Sequence, residues 1–418
     1  MGGSHRVSVH VGEGLPQLDW AGELADLTDS WPYVGPTWLA ATERAMPEAK
    51  PWHTVARRGR GEVSLLPGYV LTSPPAVDHD PRTYLGWQPP SGDSVCCGVQ
   101  VGCEQTSEVD AMGTEAFFPT LLLGSPLGYR TEVAYNFWTR NLFAAMVERL
   151  VPAAFEAGIR SVAAPWIPDR VGNDALVRAL TDAGGHSTFW GFENYVTLAA
   201  DGWEAHVASL PAKQRQRVRS DERRFAASGV RTERVDGEAI RPYVSRIADL
   251  TCLNREKNGA GEEPVHISTM LEVLLDAGVE VRAYLGRLDG DVVASCVVLR
   301  KGHRLLPKWA GFDYERIGDR SGVYFAMVLN SPVRDGYGEG LHTVEFGAGA
   351  YQAKRLRGCA SRSITTAVLL SDSALRPSAA RLLDSFGAAR RVAFSDQPAP
   401  AALPIVSTAS TSACCGNG

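Results

Sequence analysis

The chain has 418 residues, of which 44% are hydrophobic and 21% charged, with a formal net charge of −5. That length supports two or three domains with full hydrophobic cores, and the composition is that of an ordinary globular protein. The acidic balance excludes a surface given over wholly to nucleic acid but leaves room for a local basic patch, and no apolar run approaches the roughly 18 residues a membrane span needs.

The N-terminal MGGSHRVSVHVGEG has no apolar h-region and carries Arg6 where a myristoylation site wants Ser or Thr, so a cytoplasmic location is expected. His5–Val11 is predicted as a strand, and Leu18–Asp29 and Pro36–Ala45 as helices. Val55–Val70 (VARRGRGEVSLLPGYV) reads as a hairpin turning at Gly59–Gly61. Ser73–Gly113, rich in Pro, Gly and Asp, reads as a long loop. It holds Cys96, Cys97 and Cys103, whose spacing fits no zinc pattern, so reduced, structurally incidental thiols are expected there. Pro119–Leu123 is predicted as a strand, GSPLGYR as a turn, and 136–157 as a helix leading into a strand at Val162–Trp166.

Asn173–Ala183 reads as an amphipathic helix capped by Asn173 and stopped by Gly184-Gly185. Phe189–Leu198 follows as a strand, and a domain boundary is expected near 199–203. Two helices and a strand open the second domain, and helices near 238–256 and 266–277 follow. A second hairpin, Val281–Leu299, turns at Asp289-Gly290, a pair tolerant of positive φ. Ser363–Leu370 and the helix Arg376–Phe386 are the last ordered elements expected before a tail at 396–418 that includes Cys414-Cys415.

The most informative stretch is Lys308–Gly358, KWAGFDYERIGDRSGVYFAMVLNSPVRDGYGEGLHTVEFGAGAYQAKRLRG. A helix expected to break at Gly336, Gly338 and Gly340 leads into the short strand Thr343–Phe346, which runs into Gly347-Ala-Gly349. A strand ending on glycines offers bare backbone N–H groups to a ligand. Asn141–Trp166 is a partial echo of Val323–Ala348: an apolar helix closes on a glycine, then Ile or Leu, and enters a strand. Hairpin, loop, helix and strand thus occur twice, about 200 residues apart, as in a duplicated domain; chance likeness of two α/β units is the alternative.

Leu210–Phe225 (LPAKQRQRVRSDERRF) gathers Lys213, Arg215, Arg217, Arg219, Arg223 and Arg224 against Asp221 and Glu222. A solvated, self-paired helix face is one reading, and a landing place for phosphates is the other. Lys308 and Asp313 are costly to bury without partners and suit a cleft rim, whereas Trp309 and Phe312 suit a core. Glu345, in an otherwise apolar strand, is either on an exposed polar face or a carboxylate at a strand's carboxyl end, where α/β sheets place ligands. Tyr351 and Lys354 follow in a predicted helical turn. The chain has no P-loop, G-x-S-x-G, H-E-x-x-H or C-x-x-C, and Gly336-x-Gly338-x-Gly340 follows a helix instead of opening one. Hydrolase, kinase and nicotinamide-dependent readings all lack their minimum parts.

The order LPAKQRQRVRSDERRFAASG, GRLDGDVVASCVVL, KWAGFDYERIGDRSGVYFAMV and GLHTVEFGAGAYQAKRLRG resembles the tandem GNAT-fold acyltransferases of the FemAB-like group, over about 200–370. The resemblance implies an α/β fold of two GNAT-like domains, each a mixed sheet flanked by helices, at 1–200 and 201–395. It implies transfer of an acyl group from acyl-CoA, or of an aminoacyl group from a charged tRNA, to the amine of a small molecule, with no metal. The missing R/Q-x-x-G-x-G/A pyrophosphate loop counts against acetyl-CoA itself. In that family a strand ending in glycine is followed by a Tyr and a Lys, the places Gly347, Tyr351 and Lys354 occupy here; on the reading of the residues themselves, Glu345, Asp313 and Tyr351 take catalytic roles, and Lys213, Arg215, Arg217, Lys308, Gly347, Gly349 and Lys354 hold the donor. Trp309, Tyr314 and Tyr324 contact substrate. A non-catalytic binding module is the reading from outside the enzyme classes.

Overall fold

A computed structural model describes residues 7–13, 32–59, 62–88, 104–135, 140–170, 172–257 and 264–394. The elements of the first half are β1 (Val7–Glu13), α1 (Pro36–Ala45), β2 (Lys50–Arg58), β3 (Glu62–Leu66), β4 (Gly68–Leu71), α2 (Glu104–Met112), β5 (Thr120–Leu123), β6 (Ala134–Tyr135), α3 (Arg140–Glu156), β7 (Ser161–Pro168), α4 (Asn173–Asp182) and β8 (His186–Thr197). The second half follows as α5 (Trp203–Ser209), α6 (Ala212–Ala227), β9 (Arg231–Asp236), α7 (Val244–Lys257), α8 (Pro264–Asp276), β10 (Val281–Leu288), β11 (Asp291–Lys301) and β12 (Arg304–Phe312). It ends with α9 (Tyr314–Ile317), a π-helical stretch (Phe325–Asn330), α10 (Ser331–Gly338), β13 (Thr343–Gly347), α11 (Tyr351–Arg355), β14 (Ala360–Leu370) and α12 (Arg376–Ala393).

Both predicted hairpins form. β2 pairs with β3 and β4 in one continuous register, with Gly59 at φ +65° in the turn. β10 and β11 are joined through Asp289 and Gly290 at φ +52° and +92°, the two positive values that a twisted two-residue turn requires. Other expectations shift. The long loop contains α2, and α10 runs through Gly336 to Gly338, so the turn comes at Gly340, φ +64°. Gly172 is the N-cap of α4 in place of Asn173, whose side-chain amide donates instead to the Pro168 carbonyl at 2.8 Å. The helix expected at Leu18–Asp29, Cys96, Cys97, Cys103 and the tail with Cys414-Cys415 lie outside the described residues.

Among the described residues, all fourteen strands join one sheet, in the order β6-β3-β2-β4-β5-β7-β14-β8-β13-β12-β11-β10-β9, with β1 on β2. Its centre is an exchange. β8, the last strand of the first half, pairs with β13; β14, from the end of the chain, pairs with β7. The two meet antiparallel with Gly191 opposite Ile364. Outward from that pair the halves match strand for strand: β7 with β13, β5 with β12, β4 with β11, β2 with β10, β1 with β9. Each half has one parallel pairing, β5 with β7 and β12 with β13. This repetition of order and direction carries the echo seen in the sequence into three dimensions.

One core cluster packs β12 and helices α7 and α8 against α1 and strands of the first half. On the opposite face of the second half, α10 and the π-helical stretch cover β11 to β13. Burying apolar surface stabilises by roughly 25 cal/mol per Å², so a core spanning both halves joins them in addition to the shared sheet. Among the described residues, no helix is long and apolar enough to cross a membrane.

Candidate active site

Parallel β12 and β13 pair only at Arg304–Thr343 and Leu305–Val344. Beyond that point each follows its other neighbour: β12 stays on β11 as far as Phe312, and β13 stays on β8 as far as Gly347. A wedge therefore opens between Leu306–Phe312 and Glu345–Gly347. The Asp313 N–H bonds the Val293 carbonyl at 2.9 Å. Antiparallel alternation then turns the backbone groups of Ala310 and Phe312 away from β11 and into the wedge. Asn254 of α7 donates to the Ala310 carbonyl at 3.0 Å on one wall, and Lys354 donates to the Phe346 carbonyl at 2.7 Å on the other.

Each wall is bulged. Trp309 faces Val297 and Pro307 faces Val298, which leaves Lys308 as the extra residue; Glu345 faces Tyr195 and Gly347 faces Asn194, which leaves Phe346. Bulges re-aim side chains beside sites of this kind. Gly347 has φ +65°, and the space a Cβ would occupy at Gly347 and at Gly349 has no atom within 4 Å. The glycine-ended strand that the sequence singled out thus runs from the wedge into open space beside Gly347 and Gly349.

Glu345 is buried, and both of its oxygens have guanidinium partners, Arg170 at 2.8 Å and Arg362. Arg362 also bonds Glu193, which Arg130 holds at 2.6 Å, and Arg130 in turn meets Glu132 at 3.0 Å. Three carboxylates and three guanidiniums from both halves thus share one buried cluster. Burial alone would raise the Glu193 carboxyl, but Arg130, Arg362 and Arg170 outweigh it and bring its pKa down to about 2. For Arg170 burial dominates and lowers its pKa to about 10.

The remaining predicted residues divide between the two faces of the sheet. Lys308 and Trp309 lie on the face shared with the first half. Trp309 stacks on Trp38 at 5.9 Å, and Lys308 Nζ lies 5.1 Å from the Tyr33 ring and 4.9 Å from that of Tyr129. Tyr314 and Tyr324 lie on the α10 face, with rings 5.6 and 5.5 Å from Phe312, so they do not meet Trp309. Burial pushes the pKa of both tyrosines up, Tyr314 to about 12. Asp313 caps α9 through the Arg316 N–H. Tyr351 is buried and stacks on Phe192 at 5.0 Å.

On α6, Lys213, Arg215 and Arg217 are exposed, and Arg215 donates to the carbonyls of Ala208 and Leu210 at the helix start. Asp221 on the inner side of α6 pairs with Arg357 at 2.5 Å. A Cβ at Gly322 would come within 2.5 Å of the Asp221 carbonyl oxygen, so α6 packs directly beside the residues that lead into the π-helical stretch. The basic helix is therefore on the α10 face, opposite Lys308.

Sequence reading missed Arg130, Arg170, Glu193 and Arg362, although lone charges in the strands FWGFENYVTL and SRSITTAVLL were a visible signal. It also missed His79, Tyr129 and Arg255, which loops and α7 bring beside Lys308 with no sequence pattern to announce them.

Residues 212–355 match the model of the family described as the acetyltransferase (GNAT) domain. The search of curated proteins returned no match. Among solved structures, FemX is 12% identical, with 87% of this chain and 99% of that one covered at a TM-score of 0.53. A tandem GNAT protein from the clavulanic acid biosynthesis pathway gives 12% identity, coverage of 86% and 98%, and a TM-score of 0.45. The C-terminal domain of a putative lysylphosphatidylglycerol synthetase from Agrobacterium fabrum gives 17%, 64% and 84%, and 0.43. The chain has the fold of FemX, and its residues 212–355 match the acetyltransferase (GNAT) domain family.

Proposed function

We propose that the protein is an N-acyltransferase that seats the acyl donor in the wedge between β12 and β13 and receives a small-molecule amine from the face shared with the first half. The observation that carries this reading is the wedge itself, an opening walled by backbone directed inward and ended by the unfilled space at Gly347 and Gly349. Backbone N–H groups of Ala310 and Phe312 suit the oxygen of a donor carbonyl, whose charge grows as the amine adds. The amine nitrogen bonds to the carbonyl carbon, and the C–S bond of a thioester then breaks, releasing the thiol. The proton lost by the amine goes to solvent or to the leaving group. Glu345, clamped by two guanidiniums, orients the site; taking up a proton at Oε2 would cost it the Arg362 bond. Most of the acceleration comes from positioning, and no covalent enzyme intermediate is required.

A coenzyme A thioester is the donor this reading favours, its phosphates lying toward Lys213, Arg217 and the residues around Gly322 that lead into the π-helical stretch. A charged tRNA is the second reading. Lys213, Arg217, Arg223 and Arg224 are exposed along α6, a span of roughly 16 Å at 1.5 Å per residue, which suits a polyanion longer than one pyrophosphate. The aminoacyl ester C–O bond would then be the one broken. Incubating the purified chain with radiolabelled acyl-CoAs, or with charged tRNAs, and a panel of amines separates the two by which label enters an amide. Donor binding with no transfer to any amine would leave a binding module and end the enzymatic reading. Cytoplasmic location and a role in specialised metabolism belong to the same proposal.

A further inference from the structure

At the open end of the wedge the chain turns from Gly349 into the short helix α11, and the end of that helix is fastened to the basic helix α6. Gln214 of α6 donates to the Arg355 carbonyl at 3.2 Å, and a Cβ added at Gly358 would meet the Leu210 side chain at 2.4 Å. Arg357 pairs with Asp221 of α6 and lies over the Phe325 ring of the π-helical stretch. Three elements of the donor face therefore meet at residues 355–358.

The cations gathered here divide by whether the fold already uses them. Arg219 and Arg334 both hold Glu222, Arg357 holds Asp221, and Arg215 donates to backbone carbonyls at the start of α6. Arg355 is the exception. It is half-buried, its Nη1 is buried with no hydrogen-bond partner, and among the described residues no carboxylate pairs with it. A guanidinium offers five N–H groups and cannot shed its proton. Leaving one of those groups buried and unmet costs free energy that an anion placed against it restores. Lys213 and Arg217 lie one helical turn apart on α6, on either side of Gln214 in the chain. Both are exposed, and among the described residues neither has a carboxylate partner. Unmatched cations in this number favour an anion of more than one charge, and the planar fork of an arginine matches the paired oxygens of a phosphate.

We infer that Arg355 binds a phosphate of the donor through its guanidinium fork, with Lys213 and Arg217 beside it, so that the donor is a thioester on a phosphorylated nucleotide carrier. The carrier runs from the wedge past Gly347 and Gly349 and along α11, a helix of roughly 8 Å at 1.5 Å per residue. This assignment rests on the acyl-transfer reading above and adds to it the residue that reads the phosphate.

Calorimetric titration of the full chain with coenzyme A, dephospho-coenzyme A, pantetheine and inorganic pyrophosphate tests it without turnover, with a charged tRNA as the longer polyanion. Coenzyme A is expected to bind at least about tenfold more tightly than pantetheine, the usual worth of a charged hydrogen bond. Arg355→Ala should remove most of that difference and leave pantetheine binding as it was. Arg355→Lys should restore only part of it, since an ammonium lacks the fork. Without ligand, the Arg355→Ala chain should melt no lower than the wild type, which separates a binding role from a structural one. Coenzyme A binding indifferent to Arg355, an equal loss of pantetheine binding, or a lower melting temperature of the ligand-free variant would overturn the assignment and leave the acyl-transfer reading standing. Arg355-dependent binding of pyrophosphate or tRNA in a chain that takes no coenzyme A would keep the phosphate site and end the thioester reading. Binding of none of these probes would overturn both.

Discussion

The two halves repeat one strand order, yet their central wedges differ. In the first half, β5 and β7 pair through three residues, and the gap beyond is stitched shut. The Thr131 hydroxyl donates to the carbonyls of Leu123 on one wall and Pro165 on the other, and the Thr131 N–H adds a bond to the Trp166 carbonyl. Gly124 has no room for a side chain there, since a Cβ would lie 2.3 Å from the Arg130 carbonyl oxygen. In the second half, separate residues hold each wall, Asn254 on β12 and Lys354 on β13, and the glycines at the end face open space. The repeated wedge is a structural seam in one half and a candidate donor site in the other. The loop that closes the first, 124–131, also delivers Tyr129 and Arg130 to the second.

The strongest challenge to this comparison is at the point where the halves lock. Arg362→Leu leaves Glu193 and Glu345 buried beside a missing partner, and should cost about 3–5 kcal/mol, read as a lower midpoint in urea for the whole chain in one transition. Two separate transitions would show that the halves unfold independently and not as one cooperative unit.

The closing loop makes a pH signature. His79, whose buried ring bonds the Pro126 carbonyl of that loop at 3.2 Å, titrates near 4 in the fold and near 6.5 in an unfolded chain. Between those values the unfolded state binds the extra proton, so stability is complete above about pH 6.5 and falls as pH drops toward 4. The loss amounts to about 3 kcal/mol. Melting curves at pH 7 and pH 4.5 should differ less for His79→Phe than for the wild type; equal differences would mean that His79 is not held neutral.

Gly349→Leu fills the open wedge without a backbone clash and should reduce transfer on the order of 100-fold, as misplacement of a reacting group does, with the melting temperature unchanged. Thr131→Val, the contrasting change in the sealed wedge, should cost about 1–3 kcal/mol of stability and leave transfer intact. If Thr131→Val instead abolished transfer, the assignment of the two wedges would be reversed. The smallest effect belongs to Lys213→Ala with Arg217→Ala. It should weaken donor binding a few-fold, and more at low salt than at high, with the steeper salt dependence for tRNA if tRNA is the donor.

Much of the local structure was legible. Asp289-Gly290 announces its hairpin because only a few residue types accept two successive positive φ values. The α3–β7 and α10–β13 units announce each other because a shared helix–glycine–strand pattern survives low identity. The open space beside Gly347 and Gly349 was legible for the same reason: a missing side chain is written in the sequence. Glu345 stood out as a carboxylate in an apolar strand, but its partners did not, since Arg170 is 175 residues away and comes from the other half. The α2 helix was lost inside a stretch dominated by turn residues.

Residue order alone determined the elements and their repetition, because helix and strand periodicity, turn chemistry and glycine placement act over a few residues. Tertiary structure decided that β8 and β14 change places, that one wedge is sealed and the other open, and that Lys308 and the basic helix α6 stand on opposite faces of the sheet. The exchange of β8 and β14 depends on pairing between residues more than a hundred positions apart, and the sealing of one wedge on contacts between separate elements, for which no local pattern carries a signal. There, burial must find a partner for each charge, and only the folded sheet brings the partners within reach.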